Sequence, residues 1–408
     1  MPAEPKVFVM VLAGGEGRRL SPLTADRAKP AVPFGGSYRI IDFVLSNFAN
    51  ARYLQIVVLT QYKSHSLDRH ITQTWRFSTL LGSYVTPVPA QMRRGPYWFS
   101  GSADAIYQNL NLISDERPDI VCVFGADHIY AMDPRQMVEH HIATGAGVTV
   151  AAIPVPKEQG SEFGVIESDA SGRILAFHEK SSDPPTMPGD DTRVLASMGN
   201  YVFSTSALVD AVTPSADLDI ATDMGGHVIP AMTARGDAVV YDFSTNVIPG
   251  QLEHEKGYWR DVGSLDAYYE ANMDLLEALP PFSLYNSDWP VYSLQLPLPP
   301  AKLGYGRDGS EASAHNSLLC AGAIVSGGTV DRSILGPDVH VDAGAHVTES
   351  ILMPGVRIGP GARVHRSIID KNVVIPSGFQ LGVDGGMDAG FARSTNGVVV
   401  LEKNQIVG

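Results

Sequence analysis

Val7-Phe8-Val9-Met10-Val11-Leu12-Ala13-Gly14-Gly15-Glu16-Gly17-Arg18-Arg19-Leu20 is the stretch on which the reading of the fold turns. Val7 to Leu12 is apolar without alternation and stops at glycines. A run this short and this uniform reads as a strand buried on both faces, as in a parallel sheet. The glycines after it let the backbone turn tightly and bring its amide groups close to a phosphate or a base. Arg18 and Arg19 add cations able to grip phosphate oxygens in pairs. The loop is not a Walker A motif, because no Gly-Lys-Ser/Thr follows. Leu20 stands where the dinucleotide fingerprint needs its third glycine. Taken alone, the loop could equally be a plain tight turn. Lys29-Pro30, a short way on, adds a second fixed cation.

The same kind of run recurs at residues 56–59, 120–124 and 148–153. Helical patterns lie between, over 41–51, 64–72, 103–114 and 134–144. Strand and helix alternate, which predicts an α/β domain with a largely parallel sheet covered on both faces. Short strand-like pieces at 164–166 and 174–177, and a Pro/Asp/Gly-rich loop at 182–191, predict hairpins laid over a site. Ser264 opens a helical pattern over 264–278 as its capping residue. The prolines from Pro280 to Pro300 then mark a linker. The expected division is a sheet domain over 1–280, a linker over 281–310 and a second domain over 311–408.

That second domain repeats with a period of 17 residues. Val330, Val347 and Val364 are in register, as are Ser333, Ser350 and Ser367, and Ile334, Ile351 and Ile368. Further columns hold Val339/Val356/Val373, Val341/Ile358/Ile375 and Gly344/Gly361/Gly378. Apolar residues at a fixed period, separated by Gly, Pro and Asp turns, describe three or four coils of a parallel β-helix. A sandwich of short strands would not keep such a period.

The formal net charge is −14, which argues against a nucleic-acid or anionic-membrane partner. Residues 1–40 run the other way, with six basic residues against three acidic ones, so an anion is expected to dock there. The two cysteines, Cys122 and Cys320, are too few and too far apart for a disulfide framework or a zinc site. No secretory leader and no apolar run of spanning length can be read, so the expected location is cytoplasmic. Asp127 in Gly125-Ala126-Asp127-His128 follows the third strand run. A carboxylate there opens into the crevice where such sheets bind ligands, although it could also simply cap the next helix.

The stretches 12–36 (LAGGEGRRLSPLTADRAKPAVPFGG), 101–110 (GSADAIYQNL), 195–203 (LASMGNYVF) and 258–272 (YWRDVGSLDAYYEAN) together resemble the ADP-glucose pyrophosphorylases, a branch of the sugar-phosphate nucleotidyltransferases. The segment 298–303 (LPPAKL) and the repeat are similar too, so the resemblance covers nearly the whole chain. It implies a Rossmann-like nucleotidyltransferase domain followed by a left-handed parallel β-helix. The implied reaction joins ATP and glucose 1-phosphate into ADP-glucose and pyrophosphate, the first committed step of glycogen synthesis. By the same resemblance Gly14, Gly15, Gly17 and Gln91 bind the nucleotide, and Arg19, Lys29 and Asp127 are catalytic. Asp127 and Asp261 hold Mg²⁺, and Gly164, Glu179, Lys180 and Ser197 bind the sugar phosphate. His128 is not needed as a base, because the attacking phosphate is already ionised. Arg27, Arg39 and Arg393 match positions for small anionic effectors in a homotetramer.

This sequence departs from many relatives at Asp26, where they carry a lysine, and at Gly226-His227. An acid at 26 disfavours a bisphosphate gripped at that position. The competing readings are a pyrophosphorylase for another nucleotide sugar, a non-catalytic regulatory subunit, and a hexapeptide-repeat acyltransferase using His340, His346 or His365.

Overall fold

The strand Val7–Ala13 is at the centre of a nine-stranded sheet. Val7, Val9, Val11 and Ala13 face one apolar core, and Phe8 and Met10 face the other. Burial on both faces explains the uninterrupted apolar run, and each such side chain contributes about 1.5–3 kcal/mol. The computed structural model describes residues 4–91, 98–213, 223–384, 386 and 390–407.

Val7–Ala13 pairs in parallel with Gln55–Thr60 on one side and Ile120–Gly125 on the other. Tyr84–Pro89 extends the parallel part at its edge. Its two prolines hide it from a reading by strand pattern, yet an edge strand tolerates them. Beyond Ile120–Gly125 the sheet becomes mixed, because Arg193–Ser204 runs antiparallel to both that strand and Val148–Pro156. This long strand shifts register between Ser197 and Tyr201. One part continues the central sheet and the other pairs with the Gly164–Ser168/Ile174–Glu179 hairpin. The hairpin expected from the sequence is therefore an extension of the sheet, carried past its end by the shift.

The helix expected over 103–114 is two helices, Ser102–Tyr107 and Leu110–Glu116. Asn109 lies between them and its side-chain amide donates to Ala105 O at 2.8 Å, a local bond that competes with a continuous helix. Ser264 caps the Leu265–Met273 helix by accepting from Ala267 N at 3.2 Å.

Three sheets of short strands stack in parallel to form the second domain. Val330, Val347 and Val364 pair successively, as do Ile334, Ile351 and Ile368, and all six are buried. The serine column is a ladder. Ser350 N donates to Ser333 Oγ at 3.0 Å and Ser367 N to Ser350 Oγ at 3.2 Å. Each hydroxyl in turn donates to the carbonyl two residues before it. Gly344, Gly361 and Gly378 have φ near +70°, where a side chain would be strained. Each sheet has at least five rungs, more than the three or four coils read from the repeat. The outermost rungs, such as Lys302–Gly304, lack the repeating columns, as capping repeats do.

That first rung falls inside the proline-rich stretch 281–310. Earlier in the stretch, Phe282 and Trp289 are buried and Tyr292 N donates to Ser46 Oγ at 2.8 Å, so the segment lies along the sheet domain. The two domains share an apolar cluster in which Leu23, Phe34 and Tyr268 meet Ile334, Ile351 and Val400. Among the described residues no helix is long and apolar enough to cross a membrane.

Candidate active site

The C-terminal ends of Val7–Ala13 and Ile120–Gly125 open into a cavity of about 730 Å³. Gly14, Gly15, Gly17, Arg19, Lys29, Asp127, Gly164, Glu179 and Ser197 all line it. The glycine loop runs along one wall. Gly17 has φ +65°, and a Cβ there would lie 3.0 Å from Lys29 Cβ, so the loop packs directly on the lysine stem. Lys29 itself begins a short 3₁₀ turn with Pro30.

Lys29 is only 7% exposed. Its ammonium is 3.0 Å from Asp127 Oδ2 and 3.1 Å from Asp261 Oδ1. Burial works to lower the lysine's pKa, but the two carboxylates outweigh it and raise it above the ordinary value. Burial would likewise raise Asp127, yet Lys29 and His128 hold its carboxyl well below the usual carboxylate range. Asp261 arrives on the strand Trp259–Asp261, which pairs antiparallel with His128–Tyr130 and sets Asp261 opposite His128. Ligand atoms of Asp127, His128 and Asp261 lie within 4.8 Å of one another. Two oxygen donors around one cation, with the cavity beside them, suit a small hard divalent ion. A Cβ on Gly263 would sit 2.9 Å from Asp261 Oδ2 and 3.1 Å from Arg19 Nη2, so this glycine leaves room where the two side chains converge.

The His128 ring meets that of Trp259 at a tilt of 57°, centroids 5.0 Å apart, and its Nε2 is 3.5 Å from Asp127 Oδ1. On the opposite wall Glu179 ends the Ile174–Glu179 strand, and Lys180 follows in the left-handed region at φ +48°. The Lys180 ammonium is exposed, 3.5 Å from Glu179 Oε1. Gly164 leaves space for Phe177, whose ring would be 2.5 Å from a Cβ there. Gln91 is exposed just beyond the edge strand Tyr84–Pro89. Lys180 and Gln91 are not among the described residues that line the cavity.

Several lining or supporting residues escape a reading of the sequence. Asp223 also lines the cavity and joins two elements, accepting from Ser102 Oγ at 3.0 Å and Gly226 N at 2.8 Å. Gln61 forms a two-way amide pair with Phe99 in the wall. Asn200 is fully buried, accepts from Gly125 N at 3.2 Å and donates to Tyr130 Oη at 3.1 Å, which fixes the strand end that presents Asp127. Polar groups that close hydrogen bonds between distant elements have no periodic signature.

The three effector candidates do not share one environment. Arg27 is 4% exposed and paired with Asp370 of the β-helix, while its Nη1 has no partner. Arg39 donates to Ser66 O at 2.7 Å. Its pKa is lowered to about 10 by burial, partly offset by Asp42 and then lowered again by Arg27 and Arg69. Arg393 is exposed on the strand Ala392–Arg393 and donates to Gly397 O at 3.2 Å. The structure sets two unforeseen lysines beside Arg27 and Arg39. Lys371 has its pKa pushed down to about 7 by burial, then by Arg39 and Arg27, against the pull of Asp370. Lys403 pairs with Asp26 at 2.6 Å, so the acid that marks this sequence is already partnered by a cation of the other domain.

The sequence profile described as Nucleotidyl transferase matches residues 8–278, and that described as GlmU-like, C-terminal hexapeptide matches residues 299–401. Proteins named glucose-1-phosphate adenylyltransferase are similar along almost their entire length. The one from Frankia casuarinae is 57% identical, over 98% of this chain and 98% of its own. That from Acidothermus cellulolyticus is 59% identical, again over 98% of both chains. That from Corynebacterium jeikeium is 55% identical, with both chains fully covered.

Proposed function

We infer the reaction from family and site together: the chain belongs to the glucose-1-phosphate adenylyltransferases, within the nucleotidyl transferase family. The substrates are ATP and glucose 1-phosphate, and the products ADP-glucose and pyrophosphate. The observation that carries this reading is the meeting of Lys29, Asp127 and Asp261 beside the glycine loop. A cation held between two carboxylates suits the transfer of one phosphate group onto another.

In this reading the amides of Gly14, Gly15 and Gly17 take the nucleotide phosphates, and Gln91 reads the base. Arg19 and Lys29 hold the β- and γ-phosphates. Gly164, Glu179 and Ser197 receive the sugar, and Lys180 swings its exposed ammonium onto the sugar phosphate. Asp127 and Asp261 would hold Mg²⁺, which supplies Lewis-acid charge at the α-phosphate when bound. An oxygen of glucose 1-phosphate attacks the α-phosphorus in line and pyrophosphate leaves with the bridging electron pair. Two anions must meet, so positioning and charge neutralisation dominate the barrier. No general base is required, and the tilted contact of His128 with the Trp259 ring suits a packing role.

Small phosphorylated anions regulate the enzyme at the domain junction, where Arg27 and Arg39 face Lys371 and Lys403. Arg393 is the third residue put forward for that role. The assembly is a homotetramer. Exposed apolar side chains at the start of the β-helix, Leu303 and Tyr305 among them, supply a surface for it.

The test is pyrophosphate release with glucose 1-phosphate and each of ATP, GTP, UTP and dTTP, with and without Mg²⁺. Faster turnover with UTP than with ATP would sink the substrate assignment.

A further inference from the structure

Lys29 occupies an unusual position for a phosphate-binding lysine. Its ammonium lies between the two carboxylates, within 3.1 Å of each, on the cavity wall. We propose that Lys29 holds the place of the divalent cation in the nucleotide-free enzyme, so that metal enters only as nucleotide phosphates draw the lysine away. This rests on the reading of Asp127 and Asp261 as metal carboxylates and adds a device to it.

Geometry and charge carry the argument. The carboxylates are close enough to share one ion, and the ammonium bonds to both. The lysine backbone cannot retreat. Gly17 packs on its Cβ, Pro30 follows it, and Val32 N donates to Lys29 O at 3.0 Å. Only the outer methylenes and the ammonium can move, and the space open to them is the cavity that the glycine loop walls.

A divalent ion added with Lys29 in place brings three positive charges against two negative ones. Like charges a few ångströms apart in a partly buried site repel strongly. Nucleotide phosphates reverse the balance. They attract the ammonium towards the loop and leave both carboxylates to the metal. Metal alone therefore binds weakly, and metal and nucleotide raise each other's affinity by one common factor, as linkage requires. An ordinary structural ion pair makes the opposite forecast, because its loss loosens the carboxylates and weakens any ion they hold.

The experiment is Mn²⁺ binding to the full chain without nucleotide, followed by the loss of the free-ion EPR signal. Lys29→Met should bind Mn²⁺ at least about tenfold more tightly than the unaltered protein. Lys29→Gln, which also lacks the charge, should behave likewise and stands in if Lys29→Met does not fold by circular dichroism. Lys29→Arg keeps the charge and should stay weak. Equal or weaker binding by the uncharged variants, with Asp127→Asn removing what binding there is, would overturn the proposal and leave the metal reading intact. No Mn²⁺ uptake by the protein or by any Lys29 variant would overturn both.

Discussion

Asp127 keeps its negative charge because of what surrounds it. Its carboxyl loses water, but Lys29 and then His128 more than compensate, and the acid stays ionised well below the usual carboxylate range. Folding that depends on this charge is at full strength above the ordinary carboxylate pKa and is lost only as pH falls far below it. The site is thus charged throughout the neutral range. Asp127→Asn removes one of two negative charges around a cation while preserving shape. Turnover should fall at least about a hundredfold, the usual size for loss of a charge from such a site, with an unchanged circular dichroism spectrum. Retention of more than about a tenth of the rate would rule out a direct role in the reaction.

At the level of the element, two devices stand out. The register shift in Arg193–Ser204 lets one strand serve the central sheet and the hairpin wall, and the displaced residues are used: Ser197 and Gly199 line the cavity and Asn200 pins Gly125. In the β-helix the serine ladder satisfies amides that the short rungs leave unpaired. Ser350→Ala strips the acceptor from the buried Ser367 amide, and an unsatisfied buried donor costs about 1–3 kcal/mol. Denaturant unfolding should show a loss of that size with activity nearly intact under native conditions, because the ladder does not touch the cavity. A stability equal to the parent's would mean that water or a shifted rung replaces the hydroxyl.

Over the whole molecule, the second domain closes on the first through apolar packing and a chain of charges, Lys403–Asp26 and Arg27–Asp370. Among the described residues, Arg27, Arg39, Lys371 and Lys403 gather at the junction with Asp26, Asp370 and Asp42 as their acidic neighbours, and Arg27 Nη1 has no hydrogen-bond partner. In the proposed function a small anion completes this cluster. Lys371 titrates near 7, and an anion binds its protonated form better, so affinity falls as pH rises through that value. Sulfate is a suitable probe, since it does not itself titrate there. Its binding, measured by calorimetry, should weaken between pH 6 and pH 8.5 (about one pKa unit or more either side), and Lys371→Met should flatten the profile. A profile unchanged by that substitution would remove Lys371 from the anion site.

Local features of the chain announce themselves in order of residues. The run Val7–Leu12, the glycine loop and the 17-residue columns are legible because burial on a fixed face or at a fixed turn repeats over a few positions. Resemblance then assigns Asp127 and Asp261 to one site. Folding alone brings Lys29 between them, across 98 and 232 residues, and sets Lys371 and Lys403 against Arg27 and Arg39. It also supplies Asn200, Gln61 and Asp223, whose work is to join elements that are remote along the chain. Charge states and hydrogen bonds of this kind depend on distances of a few ångströms and on lost water. Neither quantity has a period or a composition, so they exist only once strand register and domain docking have placed the groups side by side.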